Sequence, residues 1–191
     1  YEMVVLDGGL KRDDKRPLKT TPIYDLWKAS VSVSINFLKP SPELVAELPL
    51  CSGNWMTYGR FLLPEMVARK SVIYLDSDIL CMCGVENFQQ AWDQKTAFVA
   101  VRDPMELLKN DWPDRLTDPP FDAPYYNTGL ILMNLDWMRE KLPFRRIIGL
   151  IQRFGAENLK FHDQTIINYV SSGEFIEIEQ ANNLVLSTKY A

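Results

Sequence analysis

Two aspartates separated by one residue, Asp76-Ser77-Asp78, follow directly on a short apolar run, Ser71 to Leu75. The run (SVIYL) is rich in β-formers and reads as a strand. On an extended chain, side chains at i and i+2 point to the same side. Two carboxylates held on one side repel each other unless a cation or protons neutralise them. Short carboxylates suit a hard divalent ion such as Mg²⁺ or Mn²⁺, completed by water and phosphate oxygens. The charge of such an ion offsets that of a departing diphosphate. In open α/β sheets, ligands bind beyond the carboxyl ends of strands, which is where this pair falls. The competing reading is a solvated turn, since Asp and Ser are favoured turn residues and D-x-D is a common triplet.

Three other groups of residues add to the pair. Tyr58-Gly59-Arg60, followed by Pro64, lies a short distance upstream. Tyr125-Tyr126-Asn127-Thr128-Gly129 opens the apolar run Leu130 to Leu135. His162-Asp163-Gln164 opens a segment of helical spacing. Each has a plainer explanation. Arg60 can anchor its helix through an ion pair, and Asn127 tolerates unusual dihedrals in turns. Asp163 is placed to cap a helix by accepting from first-turn amides. Asp103, just before Pro104, can be an ordinary strand-ending turn.

In this order and near these spacings, the pieces resemble glycosyltransferase family 8, the group of glycogenins and bacterial lipopolysaccharide galactosyltransferases. The shared pattern is Y-x-R with a later Pro, strand-D-x-D, F/Y-N-x-G before an apolar strand ending in N-L, and D-Q at a helix start. The resemblance runs from about Val4 to about Tyr190. It implies an α/β, Rossmann-like GT-A fold and a retaining transfer from a nucleotide-sugar donor. By the same resemblance, Asp76 and Asp78, with Ser77 between them, hold a divalent metal, usually Mn²⁺ with Mg²⁺ possible, on the donor diphosphate. Arg60 contacts the donor, its guanidinium fork suiting hydroxyls or phosphate. Asn127, Thr128 and Gly129 line the donor sugar, Asp163 and Gln164 lie near the reacting centre, and Asp103 faces the sugar or acceptor. The partners implied are a UDP-hexose and a carbohydrate or glycoconjugate acceptor.

The sequence also departs from the family. Members begin with a strand whose polar end recognises the uridine base, whereas Glu2 to Asp7 resembles their second strand. Members carry near the end a His, a Gly and a Lys-Pro-Trp stretch, and nothing like it follows Leu184. The expectation is one catalytic domain over residues 1–191, without the opening nucleotide-binding strand and the closing segment. Thr165 stands where some members have a second Asp, which turns attention to Asp163 and to mechanisms without a protein nucleophile. Two other readings stay open. One is a carbohydrate-binding or structural relative with a degenerate donor site. The other, weaker, is an aspartate-dependent phosphatase, whose motif expects Thr or Val where Leu80 stands.

The elements that must position these residues alternate between strand and helix, an α/β pattern. Strands are expected over Glu2 to Asp7, Val31 to Phe37, Ser71 to Leu75, Thr96 to Val101, Leu130 to Leu135 and Phe175 to Glu179. Helical segments are expected over Tyr24 to Ala29, Pro42 to Glu47 with Ser41 as cap, Asn54 to Met66 interrupted at Pro64, and Val85 to Trp92. Others follow over Trp137 to Leu142, Phe144 to Phe154 and Asp163 to Ser171. Asn110 to Pro124, rich in Pro and Asp, reads as a long loop. The composition agrees: 191 residues with 47% hydrophobic and 24% charged suit a globular domain. The net charge of −4 disfavours a nucleic-acid binder driven by phosphate neutralisation. No apolar run is long enough for a membrane span. With 3 Cys and 1 His there is no zinc spacing, and a cytoplasmic setting is the weak expectation.

Overall fold

A computed structural model describes residues 2–9, 34–51, 53–80, 84–107, 123–171 and 174–184. The expected helix over Tyr24 to Ala29, the start of the Val31 to Phe37 strand and most of the loop from Asn110 to Pro124 lie outside the described residues. The chain divides into two compact units, 1–62 and 63–191. Among the described residues, no helix is long and apolar enough to cross a membrane.

In the first unit, strands β1 (Glu2–Leu6) and β2 (Ser34–Leu38) pair in parallel, Glu2 opposite Ser34 and Leu6 opposite Leu38. Asp7 extends the ladder by donating its amide to the Leu38 carbonyl at 2.7 Å. Its buried carboxylate accepts from the Gly9 amide at 2.9 Å, and Gly9 takes φ 113°, so the chain turns there. Helix α1 (Pro42–Ala46) starts as expected, with the Ser41 hydroxyl accepting from the Leu44 amide and Pro at its first position. The segment Met56–Leu62 is a 3-10 helix rather than an α-helix. It passes so close to β1 that a Cβ at Gly59 would meet Leu6 at 2.7 Å.

Pro64 does not kink a continuous helix. It is the second residue of a new turn, α2 (Leu63–Met66), where its missing N–H has no intrahelical partner to lose.

In the second unit, β3 (Ser71–Leu75), β4 (Phe98–Leu107), β5 (Pro124–Asn134) and β6 (Phe175–Ile178) form one mixed sheet in the order β3-β5-β4-β6. Strand β5 runs antiparallel to both neighbours, and β6 is parallel to β4. Both faces of β5 are covered, which is why its sequence is continuously apolar instead of alternating. Leu130 and Leu132 pack with Val99 and with Phe88 of α3 (Glu86–Ala91) on one face. On the other face Phe98, opposite Met133, meets Trp137 of α4 (Leu135–Lys141) edge-on at 5.9 Å. Helix α5 (Phe144–Phe154) buries Phe144, Ile147, Ile148, Ile151 and Phe154, the stripe its spacing calls for, and stops at Gly155 with φ 78°. Helix α6 (His162–Val170) completes this layer.

Two strands are longer than their apolar runs. β4 continues through Asp103-Pro104 to Leu107, with a register irregularity after Arg102 that accommodates the proline. β5 begins at Pro124, so Tyr125 to Gly129 belong to the strand and not to a turn before it. At its other end, Leu135 is helical. Asn134 closes the strand and its side chain accepts from the Trp137 amide at 3.0 Å, capping α4.

Candidate functional site

Strand direction brings the candidate residues to one rim. β3, β4 and β6 run the same way, so their carboxyl ends lie together, beside the amino-terminal half of the antiparallel β5. Asp76 follows β3, Asp103 lies near the far part of β4, and Asn127 to Gly129 lie in β5.

A β-bulge shapes the middle of this rim. Ala100 pairs with Ile131, but the next residue, Val101, pairs with Asn127. Thr128, Gly129 and Leu130 are therefore extra residues on the β5 side. Bulges free backbone groups from the ladder and re-aim side chains. Three of the freed groups find partners close by. The Gly129 amide donates to Asn127 Oδ1 at 3.0 Å, and the Asp76 amide donates to the Gly129 carbonyl at 2.8 Å. The Thr128 amide donates to Gln164 Oε1 at 2.9 Å.

The Asp76 carboxylate lies over the bulge. A Cβ on Gly129 would sit 3.1 Å from Asp76 Oδ2 and 3.2 Å from Asn127 Oδ1, so glycine leaves room for both oxygens. Asp76 is half-buried, whereas Ser77 and Asp78 are exposed. The chain here is not extended. The Ile79 amide donates to the Asp76 carbonyl at 3.2 Å, closing a turn, so strand alternation does not set the direction of Asp78. The turn geometry and the placement of Asp76 beside Asn127 coexist.

Helix α6 covers the other side of β5. Strand β3 reaches only as far as Leu75 opposite Leu130, so beyond that point β5 has no strand on this edge. Side-chain amides take the place of the ladder. Asn168 Oδ1 accepts from the Tyr126 amide at 2.7 Å, and Asn168 Nδ2 donates to the Tyr126 carbonyl at 2.9 Å and to the Gln164 carbonyl at 3.0 Å. Gln164 serves Thr128 with its oxygen alone, which accepts from the Thr128 amide. A step of four residues on a helix rises about 6 Å and two residues on a strand about 6.6 Å, so Gln164 and Asn168 match Thr128 and Tyr126.

Asp163 is not the helix cap. Phe161 occupies that position, its amide donating to the Thr165 hydroxyl at 3.1 Å, and Asp163 is the second helical residue, buried at 6% exposure. His162 holds φ 47°, the left-handed region, at the first position. Thr165 is buried and spends its hydroxyl on this start of the helix. Arg60 belongs to the first unit, where it is buried in the 3-10 helix.

Two residues of the rim are not among the candidates read from the sequence. Asn183 follows a 3-10 turn, Gln180–Asn182, after β6 and donates its Nδ2 to Asn127 Oδ1 at 2.9 Å. Nothing in its neighbourhood marks it. Asn168 could have been found, as a polar residue four positions from Gln164 among the isoleucines of α6.

No group of three or more His, Cys, Asp or Glu stands together as a metal cage among the described residues. Asp76, half-buried, and Asp78, exposed, offer hard carboxylate oxygens. That chemistry fits a divalent ion that keeps water and phosphate in most of its positions.

The glycosyl transferase family 8 model matches residues 51–191. The chain belongs to glycosyl transferase family 8. Among curated relatives, a lipopolysaccharide 1,2-glucosyltransferase of Escherichia coli is 25% identical over 158 residues, covering 81% of this chain and 39% of the relative. General stress protein A of Bacillus subtilis (strain 168) is 26% identical over 187 residues, covering 93% of this chain and 60% of the relative. The chain thus spans between two fifths and three fifths of the length of these relatives. Among solved structures, the galactosyltransferase LgtC, crystallised with donor and acceptor sugar analogs, superposes with a TM-score of 0.70 at 22% identity, covering 93% of this chain and 62% of that one. Mouse xyloside xylosyltransferase 1 superposes at 0.65 and 15% identity, covering 99% and 75%. The fold is GT-A, Rossmann-like, as the sequence motifs imply.

Proposed function

We propose that this chain carries the donor-sugar side of a metal-dependent retaining glycosyltransferase, moving a hexose from a nucleotide diphosphate, by preference UDP, to a hydroxyl of a carbohydrate or glycoconjugate. The observation that carries the reading is the approach of Asp76 Oδ2 and Asn127 Oδ1, within 3.1 and 3.2 Å, to the one point a Cβ of Gly129 would occupy, at the sheet edge where α/β folds bind ligands. Family membership and the glycosyltransferase names of its relatives support it. Asp76 and Asp78 would hold a divalent ion, Mn²⁺ before Mg²⁺, which when bound offsets the charge of the leaving diphosphate.

The remaining work falls to the chain. In this reading Asn127, Thr128 and Gly129 line the sugar. Asp163 and Gln164 border the reacting centre, and Asp103 faces the sugar or the acceptor. Arg60 contributes to the donor. Buried, pre-oriented dipoles need little reorganisation when charge develops at the anomeric carbon. Without a carboxylate at Thr165, the acceptor hydroxyl attacks on the face the leaving group departs, its proton passing to the diphosphate.

The test uses the Asp76→Asn and Asp78→Asn proteins. Both should lose Mn²⁺-stimulated hydrolysis of UDP-hexose while keeping the wild-type melting temperature. Undiminished hydrolysis in both would overturn the metal assignment.

A further inference from the structure

A carboxamide can turn either its oxygen or its amine to a ligand, and the two ends do opposite chemistry. At this site the backbone decides. A backbone amide only donates, so the atom facing it must be the side-chain oxygen. Asn127 Oδ1 accepts from the Gly129 amide at 3.0 Å and from Asn183 Nδ2 at 2.9 Å. Gln164 Oε1 accepts from the Thr128 amide at 2.9 Å and from the Thr128 hydroxyl at 3.4 Å. Both oxygens are thus doubly engaged. Among the described residues, neither Asn127 Nδ2 nor Gln164 Nε2 has a hydrogen-bond acceptor.

Resting on the donor-site reading above, we infer that Asn127 and Gln164 act as N–H donors, and that Asn183 and Asn168 are positioning residues that fix this polarity. Their ligands are acceptor oxygens of the donor, sugar hydroxyls or diphosphate oxygens. The Gln164 oxygen is committed to Thr128, which leaves its amine for the ligand. Asn183 holds the Asn127 oxygen inward. Asn168 grips both backbone groups of Tyr126 and the Gln164 carbonyl, which sets α6 against β5 at the height where Gln164 meets Thr128. A polarity set by fixed backbone dipoles is already in place before ligand arrives.

The first measurement needs no ligand. In the wild-type chain, hydrogen exchange should find the Gly129 and Thr128 amides protected and the Asn127 and Gln164 side-chain amines exchanging freely. Open backbone amides with protected amines would overturn the polarity whatever the protein binds. The second uses Asn127→Asp and Gln164→Glu, which keep the accepting oxygen and replace the amine by an oxygen. Melting temperature should hold, while affinity for UDP-hexose with Mn²⁺ falls about tenfold in each, the worth of a hydrogen-bond donor. Unchanged affinity for UDP alone identifies sugar hydroxyls as the ligands, and a parallel loss identifies the diphosphate. Unchanged UDP-hexose affinity in both variants would overturn the recognition role. A wild-type chain that binds no UDP-hexose would sink that role together with the functional reading, while the exchange result still decides the polarity.

The third variant, Asn183→Asp, separates positioning from mere support. Its carboxylate would repel the Asn127 oxygen at neutral pH, but its acid form donates as the amide did. Donor hydrolysis relative to wild type should recover as pH falls towards 4–5, roughly the carboxylate range. A ratio flat with pH would overturn the positioning role of Asn183.

Discussion

The carboxylate of Asp76 works at the limit of available space. The point a Cβ of Gly129 would occupy is 3.1 Å from its oxygen. Gly129→Ala therefore keeps the fold, since the nearest neighbours are side-chain oxygens that can shift by tenths of an ångström, but it pushes Asp76 and Asn127 apart. Donor hydrolysis should fall by about an order of magnitude with little change in melting temperature, because small misplacements of reacting groups are expensive. At this scale the sequence was informative where chemistry is local. The acidic pair, the Asn-Thr-Gly run and the Asp-Gln pair could be recognised from neighbouring letters. Asn183 could not, because its partner lies 56 residues away, and Asn168 showed only as a polar residue among isoleucines, its partner lying 42 residues away. The turn at Asp76 was legible as the competing reading, and it forms, since Asp and Ser serve turns and metal sites equally well.

Elements were legible where one partner face dominates. Helix α5 reads directly from its apolar stripe, and α1 from its Ser-Pro start. The ends of β4 and β5 were not legible, because a proline in a strand is tolerated only when a bulge or an edge accepts it, and that depends on the neighbouring strand. A local side-chain turn precedes the start of β4. The Asp93 carboxylate accepts from the Lys95 and Thr96 amides at 2.8 and 2.7 Å and from the Thr96 hydroxyl. These bonds, the Thr96 amide first, hold its pKa below the usual aspartate value. A depressed folded pKa gives stabilisation that is complete above the unfolded value near 3.9 and is lost as pH falls through the folded one. The melting-temperature gap between wild type and Asp93→Asn should accordingly be present at pH 6 and close below about pH 4, by thermal scans across pH.

On the other side of the sheet, Arg139 of α4 donates to the carbonyls of Pro64, Val67 and Arg69 and pairs with Asp136. A lysine has one compact charge and cannot span three carbonyls. Arg139→Lys should destabilise the fold by about 1–3 kcal/mol, read as a lower urea midpoint with unchanged slope.

At the scale of the molecule, the described candidate residues other than Arg60 belong to the unit 63–191, and the ordered motifs were enough to reach the family and the GT-A fold. Stability of that unit depends on the doubly covered β5. Leu132, at 1% exposure, packs with Val99 and Phe88, so Leu132→Ala should cost about 2–5 kcal/mol in denaturant unfolding.

The matched steps of α6 and β5 reach further than the contacts themselves. Four residues of one and two of the other coincide like the marks of a vernier, and adding or removing a single residue in either would put both amide grips out of phase at once. Sequence drift here can exchange letters but not change their number. A single-residue insertion should therefore be tolerated in the connections but not within α6 or the first half of β5.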